Sequence, residues 1–257
     1  MLLSRWIISA MFVFSMAVAP GAVFAKEDSV TPGHDWSYAG EHGPQHWGAL
    51  QAEYATCMSG KHQSPIDIRG AVLTDLDLIK FAYNASPLNI IDNGHTIQID
   101  YGAGSSMTVG GQQYELVQFH FHKPSEEKIN GKAFAMVAHF VHKNPEGKFA
   151  VVAVLMKHGQ QNPFIQTLWS NLPKEKDKEH TIERVSIDAT TFLPRNHAYY
   201  TFPGSLTSPP CSEDVTWFVL KTPVEVSSAQ VARFGKIYSK NARPVQPLNA
   251  RVIKVSK

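Results

Sequence analysis

Gln118-Phe119-His120-Phe121-His122 is the stretch that decides how this chain folds. Its neighbours on both sides are apolar or β-prone, so the segment is expected to run as a strand. In a strand alternate side chains share a face. Gln118, His120 and His122 then point one way, and Phe119 and Phe121 the other, toward a core. Two imidazoles about 7 Å apart along a strand can grip one metal ion. A second apolar run, Ala135-Met136-Val137-Ala138-His139-Phe140-Val141, ends at His142 and also suits a strand. The turn-like Lys128-Ile129-Asn130-Gly131-Lys132 separates the two runs, which makes them candidate antiparallel neighbours. His139 then completes a three-histidine site. Zinc held by three histidines keeps a fourth position for water, the catalytic rather than the structural arrangement. Any single one of the twelve histidines would suit an ordinary surface or core position. Three at matching strand polarity are what point to a metal site.

Outward from this pair, short apolar runs alternate with turn signals at 88–91, 96–101, 106–109, 114–122, 133–142, 149–157 and 216–222. That spacing predicts an α+β, sheet-dominated fold. Segments 164–170 and 227–240 are expected to be helical, the second with Ser227 as N-cap. Residues 26–64, rich in Gly, His, Pro and Trp, lack periodicity apart from a short helical piece near 48–54. Lys174 to Glu179 alternates in sign and suits a solvated loop or helix end. There is no repeat, linker or low-complexity segment.

The N-terminus carries Arg5, then an apolar run from Trp6 to Ala19, broken by Pro20-Gly21 and followed by Val23-Phe24-Ala25. This pattern predicts a secretory signal peptide over 1–25 rather than a membrane anchor. The remaining 26–257, about 230 residues, suits one domain. The chain has 24 basic and 22 acidic side chains, formal charge +2, which becomes +1 once Arg5 is removed. Such a balance gives no footprint for nucleic acid, and nothing later in the chain predicts a membrane span. Cys57 and Cys211 are the two cysteines. In an exported protein an even count predicts a disulfide, and neither lies in a Cys-x-x-Cys, which argues against redox catalysis.

From about Trp36 to its end the chain resembles the α-class carbonic anhydrases. The residues that carry the resemblance are His-Gly-Pro-Gln-His-Trp at 42–47, Gln-Ser-Pro-Ile-Asp-Ile at 63–68, Asn-Gly-His at 93–95, Gln-Phe-His-Phe-His at 118–122, Pro-Ser-Glu at 124–126, His-Phe-Val-His at 139–142, Phe-Pro-Gly-Ser-Leu-Thr-Ser-Pro-Pro-Cys at 202–211 and Asn-Ala-Arg-Pro-Val-Gln-Pro-Leu at 241–248. Eight motifs in the family's order are far more specific than any one. The resemblance implies a single domain with a large central, mostly antiparallel sheet and short peripheral helices. It implies a zinc lyase (carbonate dehydratase) for carbon dioxide hydration, with bicarbonate and a proton as products. His120, His122 and His139 would bind Zn²⁺, supported by Gln118 and Asn241. Thr207 would orient the zinc-bound hydroxide and Glu126 would accept from Thr207. Val141, Val151, Leu206, Trp217 and Ser208 would form the substrate pocket. His95 would shuttle protons through water held by Tyr38 and Gln98. Without the family, Thr207 would pass for a turn residue, His95 for a turn histidine and the pocket residues for plain core. The signal peptide and the cysteine positions are similar to those of the bacterial exported branch, which implies export to the periplasm, or secretion where the host has no outer membrane. A homodimer stays open.

One departure stands out. Zinc-bound histidines usually give their other N–H to an acceptor that orients the ring. Gln118 lies two residues before His120 on the same face and can serve. The family typically has Glu two before the third ligand, but this chain has Val137, which predicts a weaker zinc site. Glu127 stands where related bacterial chains often carry His and suggests no function. Two other classes compete: a catalytically weak or silent zinc-binding module of the same fold, and a cupin-type metal oxygenase. His120-x-His122 followed by Glu126 fits the cupin spacing, but Tyr114 and Ala133 stand where that motif wants Gly. Weak esterase activity is a plausible side reaction.

Overall fold

Alternating apolar residues lay down the sheet. The computed structural model describes residues 35–257; the signal peptide expected at 1–25 lies outside them. β1 (Ser86–Asp92), β2 (Ile97–Asp100) and β3 (Gln112–His122) follow in order, with β2 antiparallel to both neighbours. β4 (Met136–Lys143) runs antiparallel to β3 and to β5 (Phe149–His158). Three later strands complete the body: β6 (His180–Ile187), β7 (Tyr199–Gly204) and β8 (Val215–Leu220). Among the described residues thirteen strands share this sheet. Its main path runs β6-β1-β2-β3-β4-β5-β8-β7 and ends in the short strands Lys254–Val255 and Val72–Leu73. Only one pairing within this body is parallel, β5 with β8. The sheet-dominated, mostly antiparallel fold is as expected.

β4 and β5 are almost continuously apolar because both of their faces are covered. On one face Phe119, Phe121 and Phe140 join the main core with Trp169 and Phe234. Those last two come from α1 (Pro163–Ser170) and α2 (Ser228–Gly235). A smaller apolar cluster on the other face holds Val137, Val141, Val151 and Trp217. Each fully buried large apolar side chain contributes about 1.5–3 kcal/mol, so the polarity of β3 is fixed by its phenylalanines. The histidines are then obliged to take the opposite face.

Local signals set the helix starts. Asn162 caps α1, accepting from Ile165 N at 3.2 Å, and Pro163 occupies the first turn, where no amide donor is needed. Ser227 and Gln230 form a capping box on α2. The helix expected to run to residue 240 stops at Gly235. Beyond it the Tyr238 hydroxyl bonds Asp92, and Asn241 N donates to Lys123 O at 3.1 Å. The chain is thereby drawn back to the end of β3, which a continuing helix would prevent. Cys57 and Cys211 form a disulfide with a Cα–Cα distance of 4.9 Å. Among the described residues no helix is long and apolar enough to cross a membrane.

Candidate metal centre

The β3–β4 register sets His139 directly opposite His120. His122 lies two residues further along the same face. His120, His122 and His139 each offer one ring nitrogen, and these atoms lie within 4.8 Å of one another. His122 is 2% exposed and His139 1%.

In each ring the other nitrogen is engaged. His120 Nδ1 donates to Gln118 Oε1 at 2.8 Å, and His122 Nδ1 donates to the Asn241 carbonyl at 2.7 Å. His139 Nε2 donates to Glu127 Oε1 at 3.0 Å, with Oε2 at 3.3 Å. The nitrogens left over are Nε2 of His120 and His122 and Nδ1 of His139. His122 Nε2 is buried with no hydrogen-bond partner. Such an orphan is unusual in a folded protein and calls for an explanation; a cation coordinated there supplies it. Burial, reinforced by the neighbouring rings, lowers His120 to about 3 and His122 well below its ordinary value. Both are therefore neutral, as a metal ligand must be. Burial pulls His139 down as well, but the charges of Glu127 and Glu126 outweigh it and leave its pKa raised. The donor set fits a zinc ion.

Glu127 corrects the expectation drawn from Val137. Val137 is indeed buried and apolar, yet His139 does not lack an acceptor. The segment between β3 and β4 brings a carboxylate from outside the strand. Gln118 is found by counting along its ligand's own strand, whereas Glu127 reaches His139 across space from outside β4.

Glu126 is also buried. Its Oε1 accepts from Arg243 N at 2.7 Å. Burial, with Glu127 adding to it, pushes the Glu126 carboxyl up to about 7. Oε2 is buried with no hydrogen-bond partner, and the nearby Thr207 hydroxyl and Arg243 amide work against the rise in the carboxyl pKa. The Arg243 guanidinium is held by Gln63 Oε1, Ser64 O and Cys57 O at 2.7 to 2.9 Å.

A cleft of about 240 Å³ opens on His120 and His139. Val141, Val151, Leu206, Ser208 and Trp217, the five residues expected in a pocket, all line it together with Thr207. Phe149 joins them unforeseen; it lies two before Val151 on the same face of β5. Trp217 Nε1 donates to Ser205 O at 3.0 Å, which fixes the indole beside His139. A larger depression of about 580 Å³ lies by Glu115 and Lys143. It has no comparable donor set, so chemistry rather than size selects the smaller cleft.

The residues expected along a proton route lie outside the cleft lining. His95 stacks on Trp36 with ring centroids 3.7 Å apart. Its turn is closed by Asn93 Oδ1, which accepts from His95 N and Thr96 N. Gln98 accepts from Asn93 Nδ2 and donates to Asp100 Oδ1. Burial, with Glu126 and Tyr238 adding to it, holds the Tyr38 hydroxyl well above its usual value, and its ring packs edge-on against Trp36 and Trp47. Asn241 has more roles than expected. Besides its carbonyl on His122, its side chain donates to the carbonyls of Phe121 and His95 and accepts from Lys123 N. Among the described residues the ligands sit on one broad thirteen-stranded sheet and the other sheet has only three short strands, which is not the two-sheet roll of a cupin.

The family model for eukaryotic-type carbonic anhydrases matches residues 42–257. A carbonic anhydrase from Klebsiella pneumoniae is 43% identical over 244 residues, covering 94% of this chain and 96% of that one. A hyperthermostable carbonic anhydrase from a hydrothermal vent chimney superposes with a TM-score of 0.84 at 47% identity, covering 86% of this chain and all of that one. The α-carbonic anhydrase of Thermovibrio ammonificans, solved with the inhibitor sulfanilamide, gives a TM-score of 0.82 at 44% identity, covering 86% and 98%.

Proposed function

Because the chain belongs to the eukaryotic-type, or α-class, carbonic anhydrases, we propose that it is a zinc enzyme converting carbon dioxide reversibly to bicarbonate and a proton. The observation that carries the reading is the trio of buried histidines, each with its outer nitrogen engaged and its inner nitrogen turned to a common centre. When bound there, Zn²⁺ supplies a water acidified from a pKa of about 15.7 to about 7, and with it the nucleophile. Thr207 donates a hydrogen bond to Glu126, which leaves its oxygen lone pairs to accept from the reacting water and aim it. Arg243 N holds Glu126 in place for this. Val141, Val151, Leu206 and Trp217 offer carbon dioxide an apolar wall, with Ser208 beside them. His95 carries the released proton to buffer, a task suited to an imidazole. Tyr38 and Gln98 hold water along that route.

The same reading makes 1–25 a signal peptide and 26–257 the exported, periplasmic domain. Its support is the disulfide, which suits an oxidising compartment.

The test is stopped-flow carbon dioxide hydration by the disulfide-intact protein, with zinc measured on the same sample. Fast hydration at one zinc per chain, blocked by a sulfonamide, is expected. Full zinc without hydration would instead make the chain a silent zinc-binding module.

A further inference from the structure

We propose that Glu127 is the positioning residue for His139, performing from a loop the task that a strand residue two before the ligand would otherwise perform. The inference rests on the zinc reading above. Along β3 the rule of two holds, since Gln118 meets His120 at 2.8 Å. Along β4 the corresponding residue is Val137, which packs among apolar side chains and has no acceptor to give. Glu127 fills that role with both carboxylate oxygens within 3.3 Å of His139 Nε2.

The approach is built rather than incidental. Ser125 Oγ donates to Glu127 O at 2.7 Å and accepts from Phe134 N at 2.8 Å. The next residues form the Lys128–Ile129 and Lys132–Ala133 hairpin, which pairs with Asp67–Ile68. The Glu127 backbone is therefore pinned on both sides of its carboxylate. Glu127 is 0% exposed, and a carboxylate so buried is costly unless it is paired. Val137 and Glu127 thus depend on each other: an apolar residue at 137 leaves the ring nitrogen to 127, and the buried acid at 127 needs that ring. The three ligands also differ in quality. His120 and His122 lean on a neutral amide and a neutral carbonyl, whereas His139 leans on a full charge and is the most electron-rich donor of the three.

The test measures zinc release into excess chelator, together with the melting temperature of the zinc-free forms. Glu127→Gln keeps the shape and removes the charge; it is expected to release zinc about 10–100-fold faster, with little change in zinc-free melting. Glu127→Ala should also release zinc faster, with some loss of zinc-free melting because a buried side chain and its partner contact are removed, and adding Val137→Glu to it should restore retention by returning a carboxylate to the same nitrogen. Zinc release by Glu127→Gln within twofold of wild type would overturn the proposal. So would faster release that tracks a loss of zinc-free stability and is not rescued by Val137→Glu. Carbon dioxide hydration is assayed on the same samples. Slow turnover by a zinc-replete wild type would sink the proposed reaction while leaving the Glu127 result intact.

Discussion

Replacing Cys57 and Cys211 together by alanine cuts the covalent tie between the 56–59 helix and the segment after Thr207. The half-cystines are 154 residues apart, and in the chain-entropy model opening a loop of that length is worth about 5 kcal/mol. For a chain of this size each kcal/mol moves the melting temperature by about 2–4 °C, so a drop of about 10–20 °C is expected. Turnover should behave differently. The Thr207 segment is also held by Leu206 N on Ser212 O, Cys211 N on Ser208 O and Gln63 Nε2 on Cys211 O, at 2.9 to 3.0 Å. Arg243 Nη2 grips Cys57 O at 2.9 Å from the other side. None of these bonds needs the sulfurs. At 25 °C the folded variant should keep its hydration rate within about threefold of wild type, because the groups that place Thr207 remain. Calorimetry at fixed zinc and stopped-flow hydration at 25 °C read the two effects separately. A melting shift under about 3 °C would refute the loop-closure argument. A tenfold rate loss in folded protein would show that the covalent link, not the hydrogen bonds, positions Thr207.

On the proposed mechanism Thr207→Val removes the hydroxyl that would link Glu126 to the reacting water and is expected to lower kcat/KM about 10²–10³-fold at unchanged zinc content, as loss of an orienting hydrogen bond does elsewhere; a loss under fivefold would remove Thr207 from the reaction. His95→Ala should lower kcat in dilute buffer but not kcat/KM, with rescue by added imidazole; equal rates in dilute and concentrated buffer would exclude the shuttle. His142 is buried against the Tyr83 hydroxyl, and burial lowers its pKa to about 3 from 6.5. A base depressed in the folded state contributes stability that is present above pH 6.5 and lost as the pH falls toward 3. Between pH 7.5 and 4.5 denaturant titrations should therefore show His142→Gln losing about 2–3 kcal/mol less than wild type; parallel losses would show that His142 is not the sensor.

The parts of the fold legible in the sequence were those with a local cause. Alternation in 118–122 set the polarity of β3, and Ser227 marked the start of α2 because a cap is a short-range device. β6 and β7 escaped notice. β6 is amphipathic only in part, with a register shift between Ile182 and Ser186, and β7 includes Pro203 and Gly204, which signal turns as readily as strands. At the metal centre the ligands and Gln118 follow from strand geometry. Phe149 follows from it too, two before Val151 on β5, whereas Glu127 and the wider role of Asn241 do not, because each depends on a contact across the fold. Glu127 was visible beside Glu126 as a second acid, but nothing in a one-dimensional pattern says which ring it reaches.

Asn241 and Arg243 give the centre a particular order of assembly. The carbonyl that steadies His122 and the amide that steadies Glu126 both belong to the closing stretch of the chain, more than a hundred residues after the strand they serve. A nascent chain ending at residue 240 would already own every ligand yet lack the backbone that aims two of the groups around them. On the zinc reading, the ion would be held well only once the stretch past Arg243 has closed back onto the histidines and Glu126, so zinc loading would report completion of the fold as much as readiness for chemistry.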